Sequence, residues 1–219
     1  MSNKILIKLK GLIPYELKIF IKKFYSYNGY LDLDRKMLEF INFKNGFYIE
    51  CGANDGVNQS NTWHFEKRLG WHGILIEPQP NVFLNLKKNR SKKNFFENCI
   101  LKSEKIKKKF KTMHLVSGDT LITRSTKISN RFTIKIKVIA KTLNSILIKN
   151  NAPNEIDFFS LDVEGDELNV LKGINFKKYK FRYILIETKI FEKINNFLRN
   201  KNYSFLKKLS DGDYLFKKN

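Results

Sequence analysis

A chain of 219 residues, 42% of them hydrophobic and spread along its whole length, can bury one sizeable core and is too apolar to be a disordered polymer. It contains no run of 18 apolar residues that would read as a membrane span, and lysines from position 4 onward interrupt the apolar stretch a secretory leader needs. The net charge of +21 invites an anionic partner, but the lysines are dispersed rather than gathered in one block, so charge alone names no function.

Residues 1–45 read as a helical extension. Ile5 to Lys10 forms a first amphipathic piece, and Pro14 suits the first turn of a second helix running to about Tyr25. Lysines 4, 8, 10, 18, 22 and 23 interleave with Ile, Leu and Phe, a basic amphipathic pattern that fits either a helix covering the core edge or one resting on an anionic membrane. From residue 46 to 219 short apolar runs alternate with helical stretches. Gly46–Cys51 is a strand ending in a glycine turn, 60–70 a helix, Gly73–Glu77 a strand, and Pro80–Arg90 a basic helix. Asn94–Leu101 follows as a third strand. Strand, helix, strand at this pitch means parallel pairing through right-handed crossovers.

Residues 102–140 break the rhythm and read as a β-containing insert, with Ile134–Val138 alternating. A helix over 142–150, a strand over Ile156–Asp162, a helix over 165–175, a strand over Phe181–Glu187 and a helix to about Asn200 restore it. Tyr203–Lys207 and Tyr214–Phe216, joined through Asp211-Gly212-Asp213, form a hairpin whose loop is too short for a crossover. Cys51 and Cys99 are the only cysteines and sit in apolar segments. They read as two reduced, packed thiols, with the cytoplasm as the natural compartment.

The chemistry concentrates at strand ends. Glu50-Cys51-Gly52-Ala53-Asn54-Asp55-Gly56 follows the first core strand, and its two glycines frame a turn that a ligand can approach closely. A dinucleotide turn would be Gly-x-Gly-x-x-Gly, and Asn54 stands where its second glycine belongs. An acidic residue at the mouth suits a cationic ligand, and S-adenosylmethionine carries an ammonium and a sulfonium. Glu77 ends the second strand, 21 residues beyond Gly56, where a carboxylate accepts hydrogen bonds from ribose hydroxyls in nicotinamide and adenosylmethionine enzymes alike. Asn98 closes the third strand, where adenine-edge contacts fall in such folds. Asp162 and Glu164 stand at the carboxyl end of the central strand, facing the ligand crevice of an open α/β sheet, while Asp166 and Glu167 suit helix capping. His64 and His72 read as structural, and His114 lies in the insert.

Phe47 to Gly56, Ser60-Asn61-Thr62, Gly70-Trp71-His72-Gly73, Ile76-Glu77-Pro78 and Asp162-Val-Glu-Gly-Asp-Glu167, in that order, resemble the FkbM family of methyltransferases over residues 46–216. The resemblance implies a Rossmann-like class I methyltransferase: a mostly parallel seven-stranded sheet with a C-terminal antiparallel hairpin and helices on both faces. It also implies S-adenosylmethionine as cofactor and O-methylation of a sugar hydroxyl on a glycan, glycolipid or polysaccharide precursor. The residues expected around the cofactor are Glu50, Gly52, Ala53, Asn54, Asp55, Gly56, Asn61, Glu77, Pro78, Asn98 and Asp162.

Displacement at a methyl carbon needs an acceptor oxygen in line and a group to take its proton. Asp162, Glu164 and Glu187 are the candidates, with Glu164 as base and Asp162 organising the site, or the reverse. Asp162 and Glu187, on neighbouring strand ends, could instead share Mg²⁺. A nicotinamide-dependent oxidoreductase would share the glycine turn and Glu77, but no Tyr-x-x-x-Lys pair follows the fourth strand. An RNA or DNA methyltransferase would use the positive charge. It would also carry an Asn/Asp-Pro-Pro-aromatic segment where Asp162-Val-Glu-Gly stands, and its phosphates would meet an acidic mouth. The extension over 1–25 suggests a cytoplasmic enzyme resting on the inner membrane face to reach a lipid-linked glycan.

Overall fold

A computed structural model describes residues 14–103, 110–116 and 133–219. The expected helix over Ile5–Lys10 lies outside the described residues. Helix α1 (Tyr15–Lys22) follows Pro14, which also accepts the first helical hydrogen bond, Lys18 N to Pro14 O. It stops three residues short of the expected end. A single 3₁₀ turn (Tyr30–Asp32) and α2 (Leu33–Met37) bring the chain to the first strand.

Strands β1 (Phe47–Cys51), β2 (His72–Ile76), β3 (Phe95–Glu97), β7 (Glu155–Leu161) and β8 (Lys180–Glu187) pair in parallel. The terminal hairpin, β9 (Tyr203–Lys208) and β10 (Asp213–Lys218), joins antiparallel through β10, giving the order β3-β2-β1-β7-β8-β10-β9. Helices α3 (Trp63–Leu69), α4 (Pro80–Asn89) and α6 (Glu167–Lys172) link successive parallel strands, α5 (Leu143–Lys149) leads into β7, and α7 (Phe191–Arg199) leads from β8 to the hairpin. β7 is the middle strand, so its carboxyl end opens at the centre of the sheet.

Alternation divides the two cores. Ile49, Cys51, Phe159 and Leu161 enter one hydrophobic cluster, while Tyr48 and Phe158 enter the other. β1 is buried on both faces, as a central parallel strand must be. Full burial of so many Ile, Leu and Phe side chains supplies the main driving force, about 25 cal/mol per Å² of apolar surface removed from water. Cys51 and Cys99 are free and buried, and burial pushes the Cys99 thiol up to about 12.

Further elements differ from the sequence reading. The strand expected over Asn94–Leu101 breaks after Glu97, and β4 (Ile100–Leu101) pairs instead with β6 (Thr133–Lys141) in a separate small sheet. The break follows from Asn98, whose Nδ2 donates to the carbonyls of Glu77 (2.8 Å) and Pro78 (3.0 Å) and draws the chain out of the ladder. The insert is the expected β region: β5 (Phe110–Val116) runs antiparallel to β6, and His114 lies on that strand. The helix after β7 starts late, because Glu164 (φ +55°) and Gly165 (φ +96°) are left-handed and form a separate turn before α6.

Candidate active site

The turn after β1 is set by its own backbone before any ligand is considered. The amides of Gly52 and Ala53 both donate to the carbonyl of Ile76, closing β1 against β2. Asp162 N donates to Cys51 O at 3.1 Å, so the exit of the middle strand abuts the same turn. Gly52 has φ +82°, and a Cβ there would stand 2.1 Å from the Asp162 carbonyl oxygen. The close approach that this glycine permits is therefore to the neighbouring strand. Gly56 (φ +80°) is equally constrained, since a Cβ there would stand 2.7 Å from the side chains of both Leu86 and Arg90.

Asn54 and Asp55 complete the turn. Asn54 is left-handed (φ +49°), and its side-chain oxygen accepts from Asp55 N. Asp55 is buried. One of its oxygens accepts from Val57 N and Asn58 N, and the other from Tyr15 Oη at 2.5 Å and from the Asn58 amide. Asp55 is thus a turn-forming residue, and through Tyr15 it fastens α1 onto the turn. Asn54, Asp55, Asn58, Tyr15, Lys22 and α4 residues Val82 and Asn85 line a cleft of about 460 Å³.

The Glu50 carboxylate is only 3% exposed, and its oxygens accept from Ser60 Oγ (3.0 Å), Asn61 N (2.6 Å) and Thr62 Oγ1 (2.6 Å). Arg90 Nη1 lies 3.6 Å away. Burial raises its pKa, opposed by Arg90 and those three donors. Sequence reading places Glu50 at the methionine end of a cofactor. The structure engages this carboxylate in ordering residues 60–62, the loop that carries Asn61.

Asn61 is the residue that this loop presents. Its Nδ2 donates to Ser160 Oγ on β7 at 3.0 Å, while its Oδ1 is buried with no hydrogen-bond partner. A buried acceptor without a donor is costly, and it is the atom an incoming ammonium would satisfy. Glu77, 6% exposed, accepts from Asn54 N (3.0 Å) and Gln79 N (2.8 Å). Burial raises its carboxyl to about 7, against the opposing pull of those two amides. Each carboxylate oxygen has lone pairs beyond these bonds for ribose hydroxyls. Asn98, expected at the adenine edge, spends its amide protons on the Glu77 and Pro78 carbonyls and so fixes the backbone of that rim.

Across from the turn lies a carboxyl cluster. Asp162 is half-buried at the end of β7. Burial raises its pKa far above the usual carboxylate range, reinforced by Glu187, which lies within hydrogen-bonding reach, and by Glu164 and Asp213. Glu164, exposed on its left-handed turn, is raised by partial burial and by Glu187. β8 and β10 bring in the fourth acid, since Asp213 is the register partner of Glu187. Asp213 is only 4% exposed and is likewise raised by burial and Glu187, offset by Ser210 and Lys36. Asp162 and Glu187 thus meet as expected. Among the described residues, however, no group of three or more His, Cys, Asp or Glu is arranged to hold a metal ion. Asp166 does not cap α6: its carboxylate accepts from Lys102 Nζ (2.6 Å) and Asn169 Nδ2 (2.7 Å). Glu167 turns back to accept from Gly165 N at 2.6 Å.

Sequence reasoning missed Arg90. Its side chain is fully buried, pairs with Glu66 at 2.7 Å, and donates to Tyr48 Oη, Gly56 O, Ser60 Oγ and Thr62 Oγ1. The available signal was one arginine among Lys87, Lys88, Lys92 and Lys93, because a planar guanidinium is the basic group suited to buried, multiply bonded positions. Asp213 was legible only as a turn former. His64 is structural as expected, its Nδ1 3.0 Å from Ser26 O and its ring stacked on Tyr27.

The sequence profile described as "Methyltransferase FkbM domain" matches residues 50–205 of the chain. Among solved structures, a methyltransferase FkbM from Methylobacillus flagellatus KT is similar, with 14% identity and a TM-score of 0.51 over 82% of this chain and 45% of that one. The METTL16 methyltransferase domain gives 14% identity and a TM-score of 0.49 over 85% of this chain and 64% of that one. M. jannaschii TYW2, solved in complex with AdoMet, gives 13% identity and a TM-score of 0.41 over 85% and 75%. The chain therefore spans less than half of the length of the FkbM structure it resembles. No curated protein matches it. At 14% identity the likeness to the FkbM structure speaks for the fold alone, a Rossmann-like sheet of the methyltransferase type.

Proposed function

The chain belongs to the FkbM methyltransferase-domain family, and from that premise we propose that it methylates a hydroxyl, using S-adenosylmethionine, on a sugar of a glycan, glycolipid or polysaccharide precursor. The observation that carries the reading is the contact between the Gly52 turn and Asp162. It sets a candidate cofactor cradle directly beside a carboxyl cluster at the centre of the sheet.

S-adenosylmethionine, when bound, supplies an electrophilic methyl group on a sulfonium. In this reading Asn61 Oδ1 accepts from its ammonium, and Glu77 accepts from the ribose hydroxyls. Glu50 and Arg90 act behind them, holding the loop over 60–62 in place. Held by Asn61 and Glu77, S-adenosylmethionine would give its methyl group to the acceptor hydroxyl, with S-adenosylhomocysteine as the leaving product. The hydroxyl proton passes to the carboxyl cluster. Glu187 lies within hydrogen-bonding reach of Asp162, whose carboxyl is raised by burial and by its acidic neighbours and in this reading takes that proton. Glu164, exposed at the mouth, is the carboxylate that in this reading meets the acceptor.

Transfer of a radiolabelled methyl group from S-adenosylmethionine to isolated surface glycans tests the reaction. Mass spectrometry of glycans from cells with and without the protein identifies the acceptor by the loss of one methyl group. Unchanged glycans together with no thermal shift by S-adenosylhomocysteine would discard the reading. Repeating the transfer in excess chelator tests magnesium at Asp162 and Glu187: full activity there would discard the ion.

A further inference from the structure

Helix α1 is amphipathic in an inverted sense. Its inward side is narrow. Ile19, 5% exposed, packs on Val57 and Trp63, while Tyr15 and Lys22 hydrogen-bond Asp55 and Asn58 of the cofactor turn, each at 2.5 Å. At 100° per residue, Leu17 and Phe20 fall on the opposite side, and they are 47% and 59% exposed. Phe24 and Tyr25, just beyond the helix, are 69% and 56% exposed. Phe20 and Phe24 meet edge to face, with ring centroids 5.2 Å apart, so the outer side presents one contiguous aromatic patch. Lys18 and Lys23 flank it. A patch of large apolar side chains turned to solvent on an otherwise well-packed domain marks an interaction surface.

We propose that this face docks on an anionic phospholipid bilayer, with Leu17, Phe20 and Phe24 entering the headgroup boundary and Lys18 and Lys23 meeting lipid phosphates. Charge selects this occupant. The chain carries +21, so a second copy laid on the same face would bring equal charge against it, whereas an anionic surface is complementary. Aromatic side chains flanked by lysine are the composition of an interfacial helix. No helix of the described residues is long and apolar enough to cross a membrane. Because Tyr15 and Lys22 pin α1 to the Asn54–Asn58 segment, docking would bring the cofactor turn to the lipid surface. The consequence for a lipid-linked acceptor rests on the methyl-transfer reading; the docking does not.

Flotation of the full chain with vesicles of phosphatidylcholine alone, or mixed with phosphatidylglycerol, tests the proposal. The protein should float with the mixed vesicles, and less so as salt is raised. Leu17→Glu, Phe20→Glu and Phe24→Glu combined, and separately Lys18→Gln with Lys23→Gln, should each reduce partitioning roughly tenfold or more. Unchanged melting temperature and S-adenosylhomocysteine binding would confirm that these surface variants fold. Equal binding to both vesicle types, no binding to either, or variants floating like the parent would overturn the proposal. So would a sedimentation-detected dimer that the same glutamates dissolve in the absence of vesicle binding. Vesicle binding that persists in a chain without methyl transfer would leave the docking standing and sink the catalytic reading alone.

Discussion

At the scale of single residues, the informative groups are those whose polar atoms are buried and incompletely satisfied. Asn61 donates to Ser160 while its Oδ1 lacks a partner, so replacing it should cost the cofactor more than the fold. Asn61→Ala is expected to weaken S-adenosylhomocysteine binding about tenfold, the worth of one charge-assisted hydrogen bond. Isothermal titration beside a melting curve checks it: a large fall in melting temperature with unchanged affinity would make Asn61 structural. Asp162→Asn removes the central carboxyl of the cluster and should lower turnover by about 10²–10⁴ while leaving S-adenosylhomocysteine affinity within a few-fold. Equal loss of binding and turnover would instead mark Asp162 as part of the cofactor cradle.

Glu77 gives a pH signature. An ordinary glutamate titrates near 4.5, and burial holds this one protonated to about 7. The folded state therefore binds more protons than the unfolded state across that window. Its contribution to stability is full below pH 4.5 and is lost as pH rises through 7, on the order of 3 kcal/mol. Ribose hydroxyls prefer the ionised form, so S-adenosylhomocysteine affinity should rise through the same pH 7. Glu77→Gln should abolish both trends, and paired denaturation and binding curves over pH 5–9 would show it.

At the scale of elements, the junctions between strands decide more than the strands. Gly52 combines a positive φ with a carbonyl 2.1 Å from where a Cβ would stand, so Gly52→Ala strains the β1–β7 junction itself. The sequence alone suggests that a bulkier residue would spare the fold and lose only the ligand. The structure indicates instead a destabilisation of about 3 kcal/mol or more, read as a lower midpoint in urea. Arg90 is the second junction, tying α4 to β1, to α3 through Glu66, and to the 60–62 loop. Arg90→Met should cost about 3–5 kcal/mol, because it removes the cation beside buried Glu50 and leaves Glu66 with Lys67 alone. Burial alone would raise Glu66, but Arg90, Lys67 and the Ser91 amide outweigh it and hold its carboxyl down to about 2. That stability is present above pH 4.5 and lost as pH falls towards 2, so the Arg90 variant should lose much of its acid-side dependence.

At the scale of the whole molecule, the charge is unevenly used. A chain of +21 gathers Asp162, Glu164, Glu187 and Asp213 at one crevice, while lysines cover the outside and border the apolar face of α1. An acidic mouth in a basic shell would draw the body of the protein to an anionic surface and still admit a cationic cofactor. Raising salt should therefore weaken vesicle association much more than S-adenosylhomocysteine binding, because the crevice contacts are buried and less screened.

The order of strands and helices, the antiparallel hairpin and the glycine turn were legible along the chain, because each rests on local periodicity and turn chemistry that neighbouring residues determine. The family motifs were legible for the same reason. Three things were not. Asn98 reads as a strand end, and only its bonds to the Glu77 and Pro78 carbonyls show why the third strand breaks there. Glu50 and Asn61 read as equal candidates, until Ser60, Thr62 and Arg90 engage one carboxylate and leave the other side chain with a free acceptor. The pairing of Glu187 with Asp213 and their approach to Asp162 depend on strand order, which joins residues far apart in the chain. Sequence by itself determined what each segment is, since hydrophobic period and turn residues act over a few positions. Tertiary structure alone decided which polar groups are already satisfied, since desolvation and hydrogen-bond partners come from whatever the fold brings alongside.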